Sequence, residues 1–188
     1  MGKLVLYSIC SLDGAVDSPN RLFPPSTTEP SPPEFDDAME TPFRKLLETQ
    51  TAVLLGRGMY DEWSQFWPTS NDQPFADFIN NVPKYVVTSK PLENPWHNSQ
   101  SVSGPLAEVV AEVKATTTGD VGVHGSITLA QALLAEGLID EIQLTVAPIL
   151  DPVGRRLTER ITDLTPLTLT YSLVDSSGAM WLTYSVGR

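Results

Sequence analysis

The chain has 188 residues, 41% hydrophobic and 19% charged, with a formal net charge of -11. That length suits one domain (residues 1–188) with a sizeable core, and the composition excludes a disordered chain. The acidity argues against nucleic acid, which needs a basic footprint, yet admits a phosphorylated small molecule, for which one or two placed cations and a helix N-terminus suffice.

The first residues lack the long apolar stretch and cleavage site of a signal peptide, and Lys3 to Ile9 reads as a first strand. Asp17 to Pro33, with Pro19, Pro24, Pro25, Pro30, Pro32 and Pro33, excludes a helix or central strand and reads as a lid, a binding loop or a surface insertion. Thr41-Pro42 predicts a helix cap followed by proline at the first helical position, with Phe43, Leu46 and Leu47 on one face. Further continuous apolar runs at Thr51 to Leu55, Lys84 to Thr88 and Val121 to Val123 predict strands covered on both faces. Helices are predicted to open at Asp72 to Pro74, at Pro105 and at Ser126, the last capped by Ser126 and stopped at Gly137. Apolar residues then alternate at Ile142 to Val146, Leu167 to Leu173 and Met180 to Val186, with Ser176-Ser177-Gly178 as a hairpin turn. The sum is a three-layer α/β/α domain with a mainly parallel mixed sheet and a C-terminal antiparallel hairpin. No apolar run approaches the roughly 20 residues of a membrane span. Cys10 is the single cysteine, which leaves no disulfide framework, and a cytoplasmic location is the expectation.

Four segments sit where strands give way to loops, the usual ligand position in open α/β sheets. Ser11-Leu12-Asp13-Gly14-Ala15 reads as an ordinary turn or as a turn that aims Asp13 at a ligand. Gly56-Arg57 starts a helix, where backbone N–H groups and a guanidinium suit an anion. Thr88-Ser89-Lys90 reads as a solvated strand end or as a phosphate-monoester site. His124-Gly125-Ser126-Ile127 puts N–H groups at a helix N-terminus, ready for a pyrophosphate, without the GxGxxG fingerprint. His97 and His124 lack metal-motif spacing, and no metal is expected. Trp63 and Trp67 either cover a flat substrate or pack the core.

In order, the pieces SLDG (Ser11 to Gly14), LLGRGMYDEW (Leu54 to Trp63), FADFINNVPKYVVTS (Phe75 to Ser89) and VHGSITLAQALLAEGLIDEIQLTVAPIL (Val123 to Leu150) resemble the dihydrofolate-reductase-like family. This family includes the C-terminal reductase domain of the bacterial bifunctional riboflavin-biosynthesis deaminase/reductase. The resemblance implies NADPH as cofactor. Gly56 and Arg57 would meet its adenine-side phosphates, and Thr88, Ser89 and Lys90 its adenosine ribose and 2′-phosphate. Gly125, Ser126, Ile127 and Leu129 would cradle the pyrophosphate, and Ala15 and Val16 would flank the nicotinamide ribose. At His124-Gly125 the dihydrofolate reductases carry a glycine pair with a cis peptide. The usual Pro-x-x-x-Gly-x-Gly is altered to Pro148-Ile149-Leu150-Asp151-Pro152-Val153-Gly154, with one glycine missing.

The implied activity is reduction of a small heterocyclic, imine or carbonyl substrate, similar to that of 5-amino-6-(5-phosphoribosylamino)uracil reductase. Asp13 is the expected catalytic and substrate-side polar group, with Trp67 beside the substrate. A dihydrofolate reductase needs a buried carboxylate on its first helix, and Glu34, Asp36 and Asp37 offer no clear match. The alternatives are that activity and a non-catalytic NADPH-binding protein. Relatives of this kind form homodimers through their C-terminal strands; the apolar alternation from Met180 to Val186 fits that or intramolecular cover.

Overall fold

Apolar runs without polar alternation can be buried only where a sheet is covered on both faces. The computed structural model, which describes residues 2–17, 19–22 and 37–187, places them in such a sheet. Its strands are β1 (Leu4–Ser11), β2 (Gln50–Gly56), β3 (Lys84–Val87), β4 (Ser99–Val102), β5 (Asp120–His124), β6 (Glu141–Ala147), β7 (Leu167–Val174) and β8 (Met180–Val186). Among the described residues they form one eight-stranded sheet in the order β4-β3-β2-β5-β1-β6-β8-β7. Strands β1 to β6 pair in parallel, while β8 is antiparallel to both β6 and β7. The helices are α1 (Pro19–Leu22), α2 (Asp37–Thr49), α3 (Arg57–Phe66), α4 (Phe75–Asn81), α5 (Leu106–Thr116) and α6 (Ile127–Ala135).

Alternate residues of the parallel strands point to opposite layers. Leu4, Leu6, Leu54, Val121 and Val123 pack with Val109, Val110 and Val113 of α5 and with Leu129 and Leu133 of α6. On the other face, Val53 and Leu55 pack with Tyr60 of α3 and Ile79 of α4, and Val5 and Tyr7 pack with Met39 and Leu46 of α2 and with Trp181 of β8. This is the expected three-layer arrangement.

Several expectations are corrected. Helix α2 begins at Asp37, not after Thr41, and Pro42 lies inside it. The added turn gives up the bond a Pro42 N–H would have made, and it buries the Met39 side chain completely in the α2 layer. Within the Pro-rich stretch, Pro19–Leu22 forms a helical turn that buries Leu22, with proline tolerated at its first position; Ser18 and residues 23–36, including Glu34 and Asp36, lie outside the described residues. Ser126 occupies the N-cap of α6 but makes no side-chain cap bond. Strand β4, Ser-Gln-Ser-Val, carries no apolar signal because it is a short edge strand open to water. The hairpin turn is as expected: the Asp175 amide donates to the Ala179 carbonyl at 3.0 Å, and Gly178 has φ +85°.

Candidate functional site

The sheet order brings together the C-terminal ends of β3, β2, β5, β1 and β6 as one row, and side chains tie the neighbouring loops to each other. At the end of β2, the Gly56 amide donates to Ser126 Oγ at 2.9 Å. The hydroxyl therefore satisfies a strand end that would otherwise lack an acceptor, leaving the first turn of α6 uncapped. Arg57 Nε reaches both Asp61 carboxylate oxygens at 2.7 and 2.8 Å, and its Nη1 donates to the Pro91 carbonyl at 2.8 Å. This fastens the start of α3 to the loop after β3. In that loop, Thr88 is half-buried while Ser89 and Lys90 are exposed, and the Lys90 amide donates to Thr88 Oγ1 at 3.1 Å.

At the end of β5 the chain turns sharply: the Ser126 amide donates to the His124 carbonyl at 2.8 Å, with Gly125 between them at φ +66°. Only glycine takes that backbone angle without penalty. A Cβ there would also stand 3.0 Å from Met59 Cε and 3.1 Å from Trp63 Cζ2. The only cis peptide among the described residues is Gln73–Pro74, so His124–Gly125 is trans. Gly125 is exposed, Ile127 half-buried, and Ser126 and Leu129 buried.

His124 is 2% exposed, and its Nε2 pairs with Gln50 Oε1 at 2.7 Å. Its ring lies 5.4 Å from Phe75 and 5.7 Å from Tyr7. Burial lowers its pKa to about 3, so it is neutral at any working pH.

The turn after β1 is clasped to the loop after β6. Asp13 Oδ1 accepts from Ser11 Oγ at 2.7 Å and from the Asp151 amide at 2.8 Å, and Asp13 Oδ2 accepts from Arg156 Nη2 at 2.7 Å. The Ser11 hydroxyl, then the Asp151 amide, and the Arg156 charge hold its carboxyl below the usual range. Asp13 is therefore an anion with both oxygens engaged, suited to shaping the turn or accepting a bond, and ill suited to donating a proton. Ala15 and Val16 are buried; Ala15 bridges to Arg156, and the Val16 amide donates to the Arg155 carbonyl at 2.8 Å. The glycine kept from the altered motif is Gly154, where a Cβ would collide with Ala15.

Sequence reading missed Arg155 and Arg156. The Arg155 amide donates to Asp17 Oδ1 at 3.0 Å, and its Nη2 reaches Thr128 Oγ1, on the first turn of α6, at 3.4 Å. The doubled arginine after a glycine is the only sequence signal for them. Trp67, expected beside a substrate, belongs to a set of half-buried rings: its ring centre is 5.7 Å from Trp63 and 4.8 Å from Phe75. Helix α2 turns Met39, Phe43, Leu46 and Leu47 inward; Glu40 is exposed and paired with Arg44. Among the described residues, no group of three or more His, Cys, Asp or Glu is placed to hold a metal, and no helix is long and apolar enough to cross a membrane.

Residues 2–179 match the family described as the RibD C-terminal domain. The structure of a putative riboflavin biosynthesis protein from Shewanella sp. PV-4 superposes with a TM-score of 0.75, at 22% identity over 99% of each chain. The diaminohydroxyphosphoribosylaminopyrimidine deaminase/5-amino-6-(5-phosphoribosylamino)uracil reductase of Thermotoga maritima gives 0.66 at 10% identity, over 99% of this chain and 57% of that one. Dihydrofolate reductase from Enterococcus faecalis, complexed with NADP(H), gives 0.61 at 15% identity, over 100% of this chain and 98% of that one. The dihydrofolate-reductase-like fold expected from the sequence is the fold observed.

Proposed function

The chain belongs to the RibD C-terminal domain family, and from that premise we propose that it is an NADPH-dependent reductase acting on a C=N or C=O carbon of a small heterocyclic, imine or carbonyl substrate. The observation that carries this reading is the diversion of Ser126 Oγ to the Gly56 amide. It leaves the first N–H groups of α6 without a side-chain cap, beside an exposed Gly125, which is the arrangement a pyrophosphate needs.

The residues fit the cofactor along the whole row. Gly125, Ser126, Ile127 and Leu129 hold the pyrophosphate at the start of α6. Gly56 and Arg57 lie on the adenine side, with the guanidinium braced by Asp61 and Pro91. Thr88, Ser89 and Lys90 take the ribose and its 2′-phosphate, two of them exposed for the purpose. Ala15 and Val16 form a buried floor by the nicotinamide ribose. Bound NADPH supplies the hydride. The chain orients the two reactants and excludes water from between them. Asp13 braces the substrate-side turn as an anion, and solvent supplies the proton. A homodimer through the edge strand fits the same reading, since Leu167, Leu169 and Tyr171 of β7 are 45–50% exposed; sedimentation tests it.

The test is NADPH oxidation with a panel of carbonyls, imines and quinones, repeated with NADPH deuterated at C4. Acceptor-dependent oxidation slowed by deuterium is the expected result. No oxidation above background with any acceptor contradicts catalysis.

A further inference from the structure

On the reductase reading, from which this follows, we infer that Arg155 is a cofactor-binding residue. Its guanidinium grips the diphosphate at the start of α6, from the side opposite Arg57.

Arg155 and Arg156 are adjacent in sequence, but the fold uses them differently. Arg156 is spent within the protein: its Nη1 donates to the Gly154 carbonyl, and its Nη2 to Asp13 Oδ2 at 2.7 Å and to the Asp151 carbonyl at 3.2 Å. Arg155 is exposed. Its one side-chain hydrogen bond among the described residues runs from Nη2 to Thr128 Oγ1 at 3.4 Å, longer than the roughly 2.7–3.2 Å of a normal bond. Among those residues it makes no ion pair. The nearby carboxylate of Glu159 accepts instead from the Arg156 amide and from Gln131 Nε2, both at 2.9 Å. A guanidinium is a fork of several N–H donors, so most of this one stays open to a ligand.

Its position decides what it can meet. Thr128 is the second residue of α6, exposed, on the turn that has no side-chain cap. Helix α6 has no lysine or arginine of its own. The strand order β2-β5-β1-β6 sets α6, which follows β5, between two arginines. Arg57 begins α3 at the end of β2, and Arg155 lies on the loop after β6. Two guanidiniums thus flank the open helix start. Each can make charge-assisted, bidentate bonds to a diphosphate. In a chain of net charge -11, a placed cation also offsets the repulsion an anion meets on approach.

The backbone of Arg155 is fixed on both sides. Its amide donates to Asp17 Oδ1 at 3.0 Å, and its carbonyl accepts from the Val16 amide at 2.8 Å. The preceding Gly154 is tightly packed: a Cβ there would stand 2.4 Å from that of Ala15. The side chain therefore starts from a rigid base on the turn after β1. Less freedom is lost when it closes on an anion than for an arginine on a free loop. Giving up a long bond to an exposed hydroxyl costs little.

Isothermal titration of the full chain tests this with three probes. They are NADP+, 2′-phospho-ADP-ribose, which keeps the diphosphate but lacks the nicotinamide, and adenosine 2′-phosphate, which lacks both. Arg155→Ala is expected to weaken the two diphosphates at least tenfold and to leave adenosine 2′-phosphate unchanged. Arg155→Lys, which keeps the charge but not the fork, should recover part of the loss. Because the side chain is exposed, both unliganded variants should melt within about 2 °C of the wild type. Unchanged affinity of Arg155→Ala for both diphosphates overturns the proposal, and so does an equal loss for all three probes. A wild type that binds none of the three contradicts the reductase reading itself. Wild-type binding with no response to Arg155→Ala contradicts the role of Arg155 alone.

Discussion

The backbone N–H of Gly56 donates to Ser126 Oγ at 2.9 Å, across 70 residues of sequence. The hydroxyl at the helix start thus serves a neighbouring strand, and the helix is left open to an anion. Replacing it with Ser126→Ala leaves a part-buried amide without an acceptor. We expect a loss of about 1–2 kcal/mol, which in a chain of this size lowers Tm by roughly 2–8 °C. Calorimetry reads the first effect. Titration with NADPH reads the second, a drop in affinity as the end of β2 and the cradle lose their common register.

Gly125→Ala asks for a left-handed backbone angle and places a methyl group against Met59 and Trp63. The expected cost is about 1–3 kcal/mol from the backbone angle and the contact together, with NADPH affinity falling more than tenfold. Unchanged affinity by calorimetric titration would mean that the turn is not in the cofactor site.

The fold was legible where one residue type dominated a run. Val53 to Leu55 and Val121 to Val123 are apolar because both faces of the sheet are covered, and period alone reveals that. β4 was not legible, because an edge strand open to water needs no apolar residues. The start of α2 was misread because Thr41-Pro42 looks like a cap, whereas burial of Met39 extends the helix one turn earlier. In the site, the glycine turns and hydroxyls after each strand were readable as local motifs. The Asp13 clasp was not: its partners Asp151 and Arg156 come from 138 and 143 residues away, and no local spacing records them. The same holds for Ser126, whose usual helix-capping role is overridden by an amide from another strand.

His124 is neutral in the folded chain, with its pKa lowered by burial to about 3 against 6.5 when unfolded. Between those values the unfolded chain binds the extra proton, so folding loses stability as pH falls through that window. The slope for one such group is about 1.4 kcal/mol per pH unit. Urea titrations of the wild type and His124→Asn at pH 6.5 and pH 4 should show the wild type losing more. Equal losses would mean that the ring is accessible to protons.

Lys84 is fully buried, with Nζ donating to the carbonyls of Ile79 and Val82, both at 2.8 Å, and lying 4.6 Å from the centre of the Trp96 ring. Lys84→Met strands those carbonyls, and we expect a loss of about 2–4 kcal/mol at neutral pH. Burial lowers the ammonium to about 8 from 10.5. The unfolded chain therefore binds more protons between those values, and the stability of the wild type relative to Lys84→Met should rise from pH 8 toward 10.5. A gap that narrows over that range contradicts the assignment.

The central claim is a dinucleotide along the row from Thr88 to Ala15, with its 2′-phosphate at Ser89 and Lys90. The most direct measurement is the thermal shift of the whole chain with NADPH and with NADH, on the wild type and on a Ser89→Ala/Lys90→Ala double variant. A ligand at 100 times its Kd stabilises by about 2.7 kcal/mol, several degrees here. NADPH should produce that shift in the wild type, NADH a much smaller one, and the double variant should erase the difference. No shift with either nucleotide, or equal shifts in the wild type, would contradict the account.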